Sequence, residues 1–447
     1  MGGVRADATG EGGPGGGRGG GGPAGREPGG TGPVDPTVWR VVGDPLVVGA
    51  ADGPLRGESV AVKDLFAVAG HRVGAGVPAW LAQQRPATAH ADAVRLLLDA
   101  GADVRGVAHT DELAYSLAGR NPHHGTPPNP AVPDGLPGGS SSGPAAAVAL
   151  GEATIGLGTD TGGSVRVPAS YQGLWGLRTT HGSVPTGGLV PLAPAFDTVG
   201  WLTRDARTLA AAADVSLLAD GSDERRHDDV PAPHGVAVAP ALIAEAEPGV
   251  RAAFDHALSC LAAAGLLDDL AVVALPDAAD LLGLFRTVQA VQAWRAHGDW
   301  ITRNPGALGA DVAERFRWAS TVAPQDAPTG LRTTLAAARE LEAALGHRAL
   351  LLPSASSAAP PRAGAGDGAD LDRVRAATMR LTCVAGLTGR PALSVPVLGV
   401  ERAGSRAPAP VGLCLVGPRG SDRALVGLGA RWAEELGTVG PPAPKRS

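Results

Sequence analysis

Between Pro137 and Ser164 the chain reads PGGSSSGPAAAVALGEATIGLGTDTGGS. Two serine-bearing glycine turns are joined there by one helix and one strand. No other stretch restricts the fold as strongly. Glycine turns let backbone N–H groups converge without side chains in the way. The second turn, Thr161-Gly162-Gly163-Ser164, can aim several N–H groups at one point, as an oxyanion hole requires. A hydroxyl at the end of such a turn is a candidate nucleophile.

Around this segment, strand and helix patterns alternate. Ser59–Val62 and Leu65–Val68 read as short buried strands on either side of Lys63. Thr88–Gly101 reads as a helix with Ala93, Val94, Leu97 and Leu98 on one face, Thr88 as its cap and Gly101 as its stop. Strands are expected at Val104–His109, Ala153–Leu157, Gly235–Val238, Val272–Leu275, Ala349–Leu352 and Val411–Val416. Helices are expected at Ala145–Leu150, Thr208–Leu218, Val250–Ala264, Leu371–Ala385 and Asp422–Leu436, with a helical region over 277–347. Trp294, Trp300 and Trp318 in that region read as core rather than pocket. The alternation predicts an α/β fold with a central mixed, twisted β-sheet flanked by helices on both faces.

With 447 residues, 44% of them hydrophobic, the chain is long enough for one large domain or two interleaved ones. Residues 1–34 hold sixteen glycines without apolar periodicity and read as a disordered tail. The expected division is this tail, a single domain over 35–440, and a flexible C-terminal end over 441–447. A GxGxxG at Gly15, Gly17 and Gly20 lies in the tail, with no strand before it or helix after it, so it is composition and not a dinucleotide site. A net charge of −6 offers no basic field for nucleic acid or an anionic membrane. The start lacks the apolar core of a secretion signal, and no apolar run reaches the roughly 18 residues of a membrane span. Cys260, Cys383 and Cys414 are scattered, which disfavours a disulfide framework or a cysteine zinc site. The cytosol is the expected compartment.

Of 38 basic residues only Lys63 and Lys445 are lysine. Arginine serves most surface roles of lysine but cannot give up its proton. Lys63, in the apolar run ESVAVKDLFAV, therefore reads either as a leftover lysine reaching solvent or as an amine that must become neutral. A serine nucleophile needs such a base. Gly139-x-Ser141-x-Gly143 matches the GxSxG elbow formally, but it follows NPAVPDGLPG, which is not a strand. Ser59 lies four residues before Lys63, so an SxxK motif fails. Lys63 brought in by folding is the remaining base. His123 and His124 read as loop residues, without the ligands of a metal site.

The run GGSSSGPAAAVALGEATIGLGTDTGGSVRVPASYQGLWGLRTTHG closely resembles the signature of the amidase signature family of hydrolases. VAVKDLFAVAG resembles that family's lysine segment, 77 residues before Ser140, which is itself 24 before Ser164. TDELAYSLAGRNPHHGTPPNP and PTGGLVPLAPAFDTVGWLTRD are most similar to the indole-3-acetamide hydrolase branch. The similarity is strong over about 55–205, recognisable over about 348–436 and weak between, with the helical region 277–347 as the variable substrate region.

The resemblance implies the amidase signature fold and a Ser-Ser-Lys triad. Ser164 would be the nucleophile, Ser140 the bridging serine after a cis bond at Gly139, and Lys63 the general base. Thr161, Gly162, Gly163 and Ser164 would hold the oxyanion. Gly139 and Ser141 would support the site, as would Asp160 and Arg166, read as a buried ion pair. Arg166 could instead clamp a substrate carboxylate. The plainer alternative for Ser140 and Ser141 is a pair of capping serines. Gln172 stands where relatives commonly carry cysteine.

Lys63 must then have its pKa lowered by burial to about 7–8, with Asp64 facing away along an extended strand. The implied reaction is hydrolysis of a small-molecule amide without cofactor or metal, an arylacetamide such as indole-3-acetamide being the expected substrate. A homodimer is the candidate assembly. Two alternatives are kept: the glutaminase (A) subunit of a tRNA-dependent amidotransferase, and a non-catalytic amidase-like binding protein.

Overall fold

The computed structural model describes residues 34–217, 232–267, 269–322, 326–362, 368–402, 404–405 and 407–441. The expected tails over 1–34 and 441–447 lie outside the described residues, apart from Val34 and Pro441.

The strands are β1 (Trp39–Val47), β2 (Ser59–Lys63), β3 (Asp103–Ala108), β4 (Ile155–Asp160), β5 (Trp175–Arg178) and β6 (Thr198–Thr203). They continue with β7 (Val236–Val238), β8 (Leu270–Val272), β9 (Ala349–Pro353), β10 (Ala392–Val400) and β11 (Ala409–Val416). They form one sheet in the order β1-β3-β2-β4-β6-β5-β10-β11-β9-β7-β8. β2 pairs in parallel with β3 and β4, and β7 with β8 and β9, while the remaining pairs are antiparallel. The sheet is therefore mixed, as the sequence pattern predicts.

Period-2 alternation decides which face each residue serves. In β2, Val60 and Val62 join the larger core, which the helices Asp92–Asp99, Ala206–Ser216, Pro248–Ala263 and Asp422–Leu436 cover. Ala61 faces the other way, against Ala146 and Ala147 of the helix Ser142–Leu150. Lys63, two residues on, falls on that second face. In β4, Ile155 and Leu157 join the larger core, and Gly156 and Gly158 alternate with them. A Cβ on Gly158 would sit 2.6 Å from Ser141 Oγ, so glycine there lets the first serine turn lie directly on the strand. The helices Ala278–Arg303, Ala310–Thr321, Asp326–Leu345 and Gly368–Thr388 extend the second face.

Several elements differ from the sequence expectation. Leu65–Val68 is not a strand. The chain turns after Lys63 through the Leu65 N–H bond to Lys63 O (2.6 Å), leaving an isolated bridge from Phe66 to Leu189. The helix expected from Thr88 starts at Asp92, because Ala91 and Asp92 give their N–H groups to Ala67 O and Gly187 O instead. β4 runs on to Asp160. β8 ends at Val272, in parallel register with β7. The expected core tryptophans divide: Trp300 is buried edge-on against Trp80, but Trp318 is exposed and lines a cavity.

Candidate active site

Lys63 ends β2, and its ammonium stem runs along the second face of the sheet to three hydroxyls. Nζ lies 2.9 Å from Ser140 Oγ, 3.1 Å from Ser141 Oγ and 2.7 Å from Thr159 Oγ1. The side chain is fully buried, and burial lowers its pKa to about 7. Asp111, Asp160 and Asp197 pull the other way through space, and none of them forms an ion pair with it. Asp64, the neighbour in sequence, turns its carboxylate to Arg40 Nε (2.9 Å) and the Gly74 N–H (2.9 Å).

Ser140 and Ser141 stand just before the helix Ser142–Leu150, and the Gly139–Ser140 peptide bond is cis. Ser140 O accepts from Thr110 Oγ1 at 2.8 Å. A Cβ on Gly139 would come within 2.5 Å of Asp111 Oδ2 and 2.6 Å of Gly119 N, so only glycine fits. The two serine turns are tied to each other: Ser141 N–H donates to Ser164 O at 3.2 Å.

Ser164 follows β4 in the turn before the helix Arg166–Gln172. Its hydroxyl makes no hydrogen bond among the described residues and lines a 40 Å³ cavity with Thr161 and Gly162. Lys63 and Ser140 are thus brought into contact, and Ser164 is joined to them through the backbone of Ser141.

The turn is held by charge. Arg166 Nε and Nη2 grip Asp160 Oδ2 and Oδ1 at 3.0 and 2.8 Å, with both side chains fully buried. Burial raises the Asp160 pKa, but Arg166 and Arg178 overcome it and hold the carboxyl below its ordinary range. Asp160 Oδ1 also takes the Gly163 N–H at 2.8 Å. This corrects the expectation that Gly163 helps to hold an oxyanion, since its donor is spent beneath the turn. The N–H groups of Thr161, Gly162 and Ser164 have no hydrogen-bond partner among the described residues. Arg166 also donates to Thr382 O at 3.0 Å and does not line the cavity at Ser164, so a substrate-clamp role does not fit its placement.

Three groups were not anticipated from the sequence. Arg178, from β5, donates to Asp160 O and to Thr161 O (3.3 Å). Asp197 accepts from Thr161 Oγ1 at 2.6 Å. Thr382 Oγ1 donates to Gly162 O at 2.6 Å. All three act on backbone or side chains of the nucleophile turn from distant segments, and no local motif announces them. His123 pairs with Glu112 (2.9 Å) and His124 stacks on His109. Gln172 donates to Pro137 O at 3.0 Å, bracing the loop ahead of the first turn. Among the described residues no group of three His, Cys, Asp or Glu is placed to hold a metal ion, and no helix is long and apolar enough to cross a membrane.

A buried amine, two serines on adjoining glycine turns and unpartnered N–H groups beside one of them can perform acyl transfer. The known proteins similar to this chain include amidases. The Amidase family model matches residues 44–426. Amidase 1 of Arabidopsis thaliana is 34% identical over 415 residues, covering 87% of this chain and 95% of that protein. The glutamyl-tRNA(Gln) amidotransferase (A) subunit of Natronomonas pharaonis is 38% identical over 230 residues, 48% of this chain and 53% of that protein. A solved structure described as an amidase superposes with a TM-score of 0.74 at 31% identity, covering 86% of this chain and 85% of that one. The arrangement around Lys63 thus sits in a chain that belongs to the amidase family, whose reaction is hydrolysis of an amide C–N bond.

Proposed function

We propose that this amidase works through a Ser-Ser-Lys relay and an acyl-serine intermediate. The observation that carries the reading is the 2.9 Å contact between a fully buried Lys63 Nζ and Ser140 Oγ, with the amine titrating at about 7. A neutral amine has two N–H donors and one lone pair. Ser141 Oγ donates to Thr159 O (3.3 Å), so it accepts from Nζ, and the lone pair is left for Ser140 or Thr159. Of these two, Ser140 belongs to the turn bonded to Ser164.

In the first half-reaction Lys63 takes the Ser140 proton while Ser140 takes the Ser164 proton. Ser164 Oγ bonds to the carbonyl carbon, and the oxyanion is met by N–H groups of Thr161, Gly162 and Ser164. The C–N bond breaks as the relay returns the proton to the departing nitrogen, releasing ammonia or an amine. Water, deprotonated by the same relay, then displaces Ser164 and frees the carboxylic acid. The Ser140–Ser164 hop needs a hydrogen bond that closes when substrate fills the cavity, since such bonds tighten in the reacting complex.

Leu117, Leu192, Trp318 and Met379 on the cavity wall give apolar contact for the hydrocarbon of the acyl group, whether aliphatic or aromatic. The test is labelling by a fluorophosphonate together with ammonia release from an amide panel: indole-3-acetamide, benzamide, short aliphatic amides and glutamine. Label on Ser164, lost in Ser164→Ala, is the expected result. Absence of label with no ammonia from any amide would leave the non-catalytic binding protein. Turnover of glutamine alone would favour the glutaminase component of an amidotransferase.

A further inference from the structure

Among the described residues, the cavity that holds Ser164 has three arginines on its wall, Arg286, Arg315 and Arg375, and no carboxylate. The same three border a larger basin of about 580 Å³ outside it, and only there do Asp311, Glu314 and Asp372 join them. The arginines come from three helices in, or just beyond, the region that the sequence marks as variable: Ala278–Arg303, Ala310–Thr321 and Gly368–Thr388.

Their direct carboxylate contacts are few. Arg375 Nη1 lies 3.2 Å from Asp372 Oδ1. Arg315 Nη1 donates to the neutral carbonyl of Tyr115 at 2.7 Å, and the Arg286 guanidinium sits 5.1 Å from the centre of the Trp318 ring. Among the described residues neither of these two pairs with a carboxylate. The buried acids beneath the pocket are engaged elsewhere. Asp160 is held by Arg166 and Arg178, Asp197 by Thr161 and two backbone N–H groups, and Asp111 by the Gly119 N–H and Ser142. Burial lowers Arg375 to about 10, with Arg315 and Arg286 pushing the same way. Asp311 and Asp372 act on Arg315 and Arg375 through space, but only Asp372 is in direct contact with one of the three. Three guanidiniums on one wall with a single direct ion pair is a costly arrangement that a bound anion relieves, and the planar fork of arginine matches a carboxylate in two-point contact.

We propose that the substrate is an amide whose acyl group ends in a carboxylate, held by Arg315 with Arg286 and Arg375. The 40 Å³ space at Ser164 takes the reacting carboxamide, and the rest of the substrate passes the arginines toward the basin. Leu117, Leu192 and Met379 would lie along its hydrocarbon. This rests on the acyl-transfer reading given above and adds to it a charge requirement at the far end.

The experiment measures ammonia release by the full-length protein from the monoamides of succinic, glutaric and adipic acids. Each is set beside the uncharged straight-chain amide of equal length, and indole-3-acetamide is run with them. At least one charged amide is expected to exceed both its uncharged twin and indole-3-acetamide in kcat/KM by about tenfold or more, as for hydrogen bonds to a charged group. Arg315→Gln should cut that ratio by about tenfold, mainly through KM, and Arg315→Lys should restore part of it by keeping the charge without the fork. Should Arg315→Gln not fold, inhibition of the wild type decides: glutarate is expected to compete with substrate and butyrate not. Charged and uncharged twins turned over equally, or glutarate no better than butyrate, would overturn the proposal while leaving the hydrolase intact. If Ser164 takes no fluorophosphonate and no amide yields ammonia, the acyl-transfer reading falls and this one with it.

Discussion

Lys63 is on the sheet because Val60 and Val62 are β-branched and apolar, and its pKa is lowered because the sheet then buries it. That makes its protonation the switch of the proposed reaction. With a folded pKa of about 7, the base is protonated below neutrality, so kcat/KM should rise with pH through an acid limb near 7. Lys63→Arg keeps the charge that the proposed chemistry must lose, and ammonia release should fall by about 10²–10⁴-fold. An unchanged rate in that variant would remove the base from the mechanism. Asp160 faces two buried guanidiniums, Arg166 and Arg178, within 3.3 Å. Removing its charge in Asp160→Asn leaves them uncompensated and should lower unfolding stability by about 3–5 kcal/mol, read from urea unfolding.

The helix Gly368–Thr388 reaches the nucleophile turn from the far end of the sequence. Thr382 fixes the carbonyl of the Gly162–Gly163 peptide at 2.6 Å, while Asp160 fixes the N–H of the same peptide at 2.8 Å. That peptide is pinned at both ends, immediately ahead of the nucleophile. Thr382→Val frees one end. We expect about 1 kcal/mol of lost stability, and a fall in kcat of up to about 10²-fold with little change in KM, measured in steady-state kinetics. The glycine turns are legible in sequence because they lie in one dense local motif, Lys63 because it is one of only two lysines, and the Asp160–Arg166 pair through the family resemblance. Thr382, Asp197 and Arg178 are not, since their role is set by pairings such as β5 with β6 and by a helix packed across more than 200 residues. β1 escapes the pattern because its register shifts twice against β3 and its middle is half-exposed, which blurs period-2 alternation. No sequence motif marks the arginines of the pocket, and only the fold brings them from three helices to the cavity of one serine.

Assembling a neutral amine in the core has a cost spread over the entire folding equilibrium, and that cost can be measured without any substrate. The unfolded chain carries Lys63 with an ordinary pKa of 10.5, the folded chain with about 7. Between those values the unfolded state holds a proton that the folded state does not, so folding stability rises with pH; below 7 both states are protonated and the contribution is flat. Other groups oppose this at higher pH. Burial raises the thiols of Cys383 and Cys414 and the phenols of Tyr115 and Tyr171, so the folded state keeps those protons longer and loses stability as the unfolded groups ionise. A pH curve of the wild type alone would mix the two. The difference between wild type and Lys63→Met isolates the lysine, because the opposing groups are common to both. That difference should move in favour of the wild type by about 1.4 kcal/mol per pH unit between pH 7 and 9 and stay level from 5 to 6. Urea unfolding of the two proteins at stepped pH provides the measurement. A difference that does not change with pH would mean that the folded chain keeps Lys63 charged, and the relay would then have no base at neutral pH, whatever the distance to Ser140.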